Sequence, residues 1–234
     1  MTTLTRPVTG IDGGMAQSCR ESFRFFVRRF WPEVPGAGKL LWNWHLGLLC
    51  DEIEKVARRA AAGLPKEYDL VINLPPGTSK SSILSILFPA WFWAIHPPAR
   101  VLTASHTDQL ALDLANKSRA VVRSEKYRTW FPEVSSRPDQ DCKGYFANTA
   151  GGDRLTCTVG GRSPTGFHGL GLLVDDPLDP KKVLSEAELR TAAEFMTAVL
   201  PSRKVDKAVS FTVLVMQRLG IGDSTDVMLN EAMK

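Results

Sequence analysis

The segment Asp69-Leu70-Val71-Ile72-Asn73-Leu74-Pro75-Pro76-Gly77-Thr78-Ser79-Lys80-Ser81-Ser82 joins a short apolar run to a tight loop ending in Lys-Ser. The run reads as a buried strand, and the apolar stretch from about Ser81 reads as a helix. A strand, a loop, Lys-Ser and a helix form the context in which a chain grips phosphate. In that arrangement the loop's N–H groups face the phosphates, and the helix amino terminus adds the positive end of its dipole. Pro76, Gly77, Thr78, Ser79 and Ser82 would line the site. The Lys80 ammonium would reach the β- and γ-phosphates, and the Ser81 hydroxyl would ligate Mg²⁺. The match to G-x-x-x-x-G-K-[ST] is incomplete, because Leu74 and Ser79 occupy its two glycine places. A serine serves there only if its backbone angle is tolerated. Alone, the pattern is equally an ordinary strand-to-helix turn with a solvated lysine, so the surrounding chain decides.

Working outward, strands and helices alternate. Residues 100–104, 154–159, 171–175 and 208–216 read as further buried strands, the last the longest. Helices are expected over 107–123 and 185–200. Upstream, apolar spacing predicts a short helix over 19–30 and a longer one over 42–62, with Leu46, Leu49, Ile53, Val56 and Ala60 on one side. Residues 1–18 read as a flexible lead-in, and the polar stretch 130–150 as a surface loop or excursion. Strands joined by helices imply an α/β fold: a mostly parallel sheet with helices on both faces. The expected kind is a P-loop NTPase, RecA/ASCE-like, with a small helical segment over 1–65 ahead of a core over 66–234. Ligands of such sheets bind at the carboxyl ends of the strands. That directs attention to the residues after Leu74, Ala104, Val174 and Met216.

A second motif lies at one of those ends. Leu172-Leu173-Val174-Asp175-Asp176-Pro177 is an apolar run closing on two carboxylates. Asp175 would hold Mg²⁺, and Asp176 would orient and activate an attacking water. Asp-Asp-Pro alone is also good turn chemistry; with the Lys-Ser loop upstream, the acidic reading is favoured. A two-metal nuclease cluster with Asp179 is the weaker reading, since such sites draw carboxylates from separate elements.

Composition narrows the class. The chain of 234 residues is 44% hydrophobic, enough for a substantial core. A net charge of +4 permits a nucleic-acid partner without demanding one. Cys19, Cys50, Cys142 and Cys157 form no C-x-x-C pair and match no zinc spacing. They read as reduced, mostly buried thiols of an intracellular protein. The most apolar stretch, 83–95, is too short to span a membrane and contains Pro89. The first fourteen residues lack the apolar run of a signal peptide.

Several segments, taken in order, make the chain resemble the large terminase subunits of tailed bacteriophages, the motors that package DNA into procapsids. Trp42-Asn43-Trp44-His45 resembles the family's adenine-side motif, and the Pro-Pro loop resembles its phosphate loop. Thr103-Ala104-Ser105-His106, followed later by Tyr127-Arg128-Thr129-Trp130-Phe131-Pro132, is similar to the segment after its second strand. Gly160-Gly161-Arg162-Ser163-Pro164-Thr165-Gly166 is similar to its Gly-rich approach to the acidic pair. Phe211-Thr212-Val213-Leu214-Val215-Met216-Gln217-Arg218 resembles its coupling motif. The resemblance covers nearly the whole chain from about Trp42. There are departures: Gly77 stands where an arginine is common, Ser79 where a glycine is usual, and Phe167-His168 where Arg-Gly is frequent.

The resemblance implies an ATPase motor domain that uses ATP and Mg²⁺ to move double-stranded DNA. Its implied partners are sister subunits in a ring, the portal protein and a small terminase subunit, with no membrane. The implied place of action is the cytoplasm of the infected bacterial host, transiently at the portal vertex. The family's nuclease domain is not expected within these residues. Implied roles are Lys80 and Asp176 in catalysis, Ser81 and Asp175 at the metal, and Trp42 and His45 beside adenine. Thr212, Gln217 and Arg218 are implied in coupling. Arg162 is the candidate finger reaching a neighbouring subunit's site, with Arg154, Arg203 and Arg218 as rivals. Helix-start packing is as good a reading of Trp42 and His45. Trp91, Phe92 and Trp93 read as core. His96, His106 and His168 show no ligand spacing. Lys181 and Lys182 read as a solvated face rather than a DNA contact. Two other functions fit the same motifs: a helicase-like nucleic-acid-dependent ATPase, and a degenerate nucleotide-binding assembly module.

Overall fold

The computed structural model describes residues 11–161 and 164–232. Helix α1 spans Ile11–Glu21 and α2 spans Phe23–Phe30, with the Ser22 hydroxyl accepting from the Phe25 N–H between them. One face of α2 buries Phe23, Phe26, Val27 and Phe30. Each such phenylalanine contributes about 1.5–3 kcal/mol relative to an exposed one. Helix α3 spans Trp44–Ala61, capped by the Asn43 side chain, and buries Leu46, Leu49, Ile53, Val56 and Ala60 as their spacing predicts.

Strand β1 is Leu70–Asn73. After the loop, the chain becomes helical at Lys80, passes through a π-helical stretch at Ser82–Leu87, and continues as α4, Phe88–Ile95. Strand β2 is Arg100–Ser105, followed by α5, Asp108–Arg123, and α6, Glu125–Trp130. Strands β3, Ser136–Asp141, β4, Tyr145–Asn148, and β5, Asp153–Thr158, come next. The acidic strand β6 is Gly171–Asp175. Helix α7, Glu186–Glu194, runs through a π-helical stretch at Phe195–Val199 into the short α8, Leu200–Ser202. Strand β7, Phe211–Met216, and α9, Ser224–Ala232, complete the order.

The strands form one sheet in the order β1-β7-β6-β2-β5-β4-β3. The first five in that order are parallel neighbours, and β4 and β3 are antiparallel. Strand β7 therefore stands between the loop-bearing strand and the acidic strand. Alternate residues of each strand face opposite sides. Val101, Leu173, Phe211 and Val213 pack with α1–α6 in a large aromatic core, whereas Leu102, Leu172, Val174 and Leu214 pack with Phe195, Met196 and Leu200 on the other side. The expected α/β class, mostly parallel with both faces covered, is the fold observed. Among the described residues, no helix is long and apolar enough to cross a membrane.

Three expectations need correction. Residues 11–18 are helical rather than a lead-in, while 1–10 lie outside the described residues. Gly13 and Gly14 lower the local helix propensity. Packing overrides it: Ala16 and Cys19 are buried, and the Cys19 carbonyl accepts from Trp91 Nε1 at 2.9 Å. Within 130–150, residues 136–148 form a hairpin that widens the sheet, an excursion rather than a plain surface loop. Phe146 supplies the reason, buried edge-on against Trp93 with ring centroids 5.4 Å apart. Its partner β3 is the edge strand, so it tolerates Pro138 and polar composition. Finally, β7 begins at Phe211, because Asp206–Ser210 forms a turn, with Ser210 N–H on the Asp206 carbonyl at 2.8 Å. It is no longer than β2 or β5.

Cys19, Cys50 and Cys157 are buried, as expected, and Cys142 is exposed at the turn of the hairpin. Burial pushes the three inner thiols well above their ordinary pKa.

Gly152 leads into β5 beneath the chain that links α4 to β2. A Cβ there would lie 2.2 Å from the Pro97 carbonyl oxygen and 2.9 Å from that of Ala99. Both are backbone atoms that cannot swing aside. Gly152→Ala should lower the unfolding free energy by about 3 kcal/mol, measured by urea denaturation.

Candidate functional site

Lys80, Ser81, Asp175, Asp176 and Gln217 come from three elements and meet at the carboxyl ends of β1, β6 and β7. The loop between Asn73 and Lys80 turns through two residues with positive φ, Gly77 at 78° and Ser79 at 63°. Its Thr78 hydroxyl donates to the Pro75 carbonyl at 2.8 Å. The Ile83 N–H bonds the Ser79 carbonyl at 3.1 Å and opens the helical ladder. The N–H groups of Lys80, Ser81 and Ser82 precede it, in the turn that lacks intrahelical acceptors.

The Lys80 side chain is 7% exposed, and its ammonium lies 2.9 Å from Asp176 Oδ2. Asp176 itself adopts φ 45°, uncommon for a residue with a side chain. Three contacts hold it there. Its N–H donates to the Val215 carbonyl at 2.9 Å, its carbonyl meets His106 Nδ1 at 2.8 Å, and its Oδ1 accepts the Gln217 N–H at 3.3 Å. Strained backbone of this kind persists only where its surroundings over-determine it.

Asp175 is buried, with 1% of its surface exposed. Its Oδ1 accepts the Ser81 hydroxyl at 3.0 Å across 94 residues of sequence, and its Oδ2 accepts the Ser85 hydroxyl at 2.7 Å. Burial pushes its pKa up to about 6. The Asp176 charge adds to the rise, while the two hydroxyls and the Lys80 ammonium oppose it.

Other expected residues lie elsewhere. Trp42 is half-buried, with the Arg28 guanidinium 4.2 Å over its ring. His45 meets the ring edge of Trp44, which is 75% exposed. Among the described residues, no hydrogen bond or ring contact joins Trp42 or His45 to the loop. Thr212 lies at the amino end of β7, where its N–H donates to Asp69 Oδ1 at 2.6 Å, a strand's length from Lys80. A cavity of about 450 Å³ beside Thr212, Asp69 and Lys204 lies at that same far end. Arg218 turns away from Asp176 and is held by Asp223 and Asp226 at 3.0 and 2.5 Å. Arg162 and Ser163 lie outside the described residues. Arg154 fails as a finger, because only 1% of it is exposed. Arg203 hydrogen-bonds the neighbouring Ser202 hydroxyl.

Sequence reasoning missed Ser85, His106, Asn73 and Thr225. Ser85 had a signal, one helical turn beyond Ser81. His106 ends the segment after β2, at a strand end where ligands are sought. Asn73 Nδ2 donates to Thr225 Oγ1 at 2.8 Å, tying the start of the loop to the start of α9; nothing local in sequence announces that pair. Asp223 organises the same turn, accepting N–H groups of Leu219 and Thr225 at 2.9 and 3.0 Å.

No protein-family model matches this chain, and no curated protein matches it. Among solved structures, the chain is similar to the HK97 bacteriophage large terminase. The TM-score is 0.55 and the identity 13%, over 92% of this chain and 41% of that one. The likeness is one of fold, and it gives this chain a terminase-like architecture that spans about two fifths of that protein's length.

Two outcomes follow from the site's electrostatics and backbone. Between about pH 4 and pH 6 the folded protein keeps the Asp175 proton that an unfolded chain releases, so stability falls as pH rises through that window. Asp175→Asn should flatten this part of the pH–melting-temperature curve and raise the melting temperature above it. Ser79→Gly should raise the unfolding free energy by about 0.5–1 kcal/mol in urea titration, since left-handed backbone costs a side-chain-bearing residue more than glycine's extra unfolded freedom.

Proposed function

We propose that this chain is the ATP-hydrolysing motor domain of a large terminase, driving double-stranded DNA into a procapsid in the infected host's cytoplasm. One observation carries the reading: Ser81 and Asp175 hydrogen-bond across the sheet, with Lys80 and Asp176 paired beside them. The terminase-like fold supports it.

The loop N–H groups and Lys80 bind the triphosphate. Ser81 and Asp175 suit Mg²⁺: a hydroxyl and a buried carboxylate are hard oxygen donors, already adjacent. Among the described residues, no group of three or more His, Cys, Asp or Glu side chains could cage a metal, so a cation here would share its shell with phosphate oxygens and water. Held by Ser81 and Asp175, Mg²⁺ would supply positive charge against the negative charge that develops on the phosphate oxygens. Lys80 leaves Asp176 for phosphate as ATP enters. Asp176, with Oδ1 steadied by Gln217, then accepts a proton from the attacking water. His106 fixes the Asp176 backbone and so its aim.

Coupling is assigned to the turn after β7. Gln217 touches Asp176, while Arg218 and Asp223 hold that turn against α9. Thr212 has a structural part at the far end of β7. Trp44, exposed beside His45, is a better stacking surface for adenine than Trp42. Arg162 is assigned as the finger that enters a sister subunit's site within a ring. The portal protein and a small terminase subunit are the further partners.

The test is ATP turnover at high protein concentration with double-stranded DNA. Asp176→Asn should lower the rate by at least about a hundredfold while leaving nucleotide binding intact. Turnover no faster than that of Lys80→Ala would reject the motor in favour of a non-hydrolysing module. Mixed Asp176→Ala and Arg162→Ala subunits should regain activity if the finger acts between subunits.

A further inference from the structure

Arg154 is a cation with almost no contact with water and no anion beside it. It stands on β5, 1% exposed, between the sheet and the π-helical stretch that follows Ser81. Among the described residues, no carboxylate pairs with it, and its Nε and Nη1 have no hydrogen-bond partner. Burial alone lowers its pKa to about 9. A buried unpaired charge costs several kcal/mol in most proteins, so its contacts have to be accounted for.

Its guanidinium lies 5.8 Å from the Phe146 ring centroid, and its hydrogen bonds point one way. Nη2 donates to the Ser85 carbonyl at 2.9 Å and approaches Thr103 Oγ1 at 3.4 Å. In an α-helix the Ser85 carbonyl would accept the N–H four residues on, but residue 89 is proline and has none. The ladder slips to π spacing instead, with the Phe88 N–H on the Ile83 carbonyl. Arg154 thus donates to a carbonyl of the π turn, at the residue whose hydroxyl holds Asp175 Oδ2 at 2.7 Å. The hydrogen bonds of Arg154 go to Ser85 and Thr103 and to neither Asp175 oxygen, so its link to Asp175 runs through Ser85.

We propose that Arg154 is a positioning residue for the magnesium site: by holding the Ser85 carbonyl it fixes the π turn that places the Ser85 hydroxyl on Asp175, leaving Oδ1 aimed at Ser81 and the cation. The inference rests on the ATPase reading, because it assigns Asp175 to the metal. Arg154 touches no substrate, so its removal alters how the carboxylate is held and leaves the phosphate loop as it is.

The test uses the whole chain and a fluorescent ATP analogue, titrated with and without Mg²⁺, alongside melting temperature. Arg154→Met fills the same volume without a charge. It should keep or raise the melting temperature and leave Mg²⁺-free nucleotide affinity unchanged. The Mg²⁺ concentration for half-maximal tightening should rise about tenfold, the usual effect of losing a group behind a metal ligand. Ser85→Ala should give the same shift, and the double variant no more than either alone. Arg154→Lys, which keeps a donor and the charge, should fall between, and it decides the matter if Arg154→Met does not fold. A lowered melting temperature with an unchanged Mg²⁺ requirement in both Arg154 variants would overturn the inference. If the wild-type chain itself shows no Mg²⁺-dependent tightening, the ATPase reading fails first, and this assignment with it.

Discussion

The helix from Lys80 to Ile95 is enclosed on every side from Ile83 to Ala94, and its polar groups must be satisfied without water. Much of the surrounding structure answers that demand. Helices α1–α3 and α5–α6 wrap it, and their polar tips close its accounts. Tyr127 donates to the Ala90 carbonyl at 2.7 Å, and Arg20 to that of Ala94 at 3.2 Å. Trp91 and Trp93 send their own indole N–H groups outward, to the Cys19 and Ala99 carbonyls. Arg154 donates to the buried Ser85 carbonyl within the π turn. The apolar surface fixes the helix against the sheet, and these bonds fix its rotation. Its first turn is therefore presented at a single angle to Asp175.

Two residues at the site adopt backbone that their side chains disfavour, Ser79 on the loop and Asp176 beyond β6. They face each other through Lys80. Hydrogen bonds hold both in place: the Ile83 N–H on the Ser79 carbonyl, and the Val215 carbonyl, His106 and Gln217 on Asp176. The same logic explains the raised pKa of Asp175: the fold holds a carboxylate where water cannot reach it because the helix above it cannot move. Sites of this kind gain geometry at a cost in stability.

Much of the fold was legible from periodicity. Parallel strands buried on both faces read as continuous apolar runs, so β2, β6 and β7 stood out. The amphipathic spacing of α3 and α5 was equally plain. The hairpin β3–β4 was not legible, because an edge strand facing water carries polar residues such as those of Ser136–Asp141, and only Phe146 betrays burial. Helix α1 was hidden by glycines and by contacts with residues more than seventy positions away, as between Cys19 and Trp91. At the site, Lys80, Ser81, Asp175 and Asp176 were readable because each lies within a motif that a strand end explains. Ser85, Asn73 and Arg154 were less so: only Ser85 had a local signal, its place one helical turn beyond Ser81. Their roles depend on partners 90, 152 and 69 residues distant, and on a helix register set by one proline.

The distribution of thiols has a consequence for chemistry at the surface. Cys19, Cys50 and Cys157 are walled in and hold their protons tightly, whereas Cys142 sits in the open at the hairpin turn, on the strand pair farthest from β1. A thiolate must form before an alkylating reagent can react. The native protein therefore offers one reactive sulfur, at the exposed turn of the hairpin. The other three become reachable only when α1, α3 or the sheet itself opens. The chain carries a built-in label site and, beneath it, a built-in alarm for unfolding.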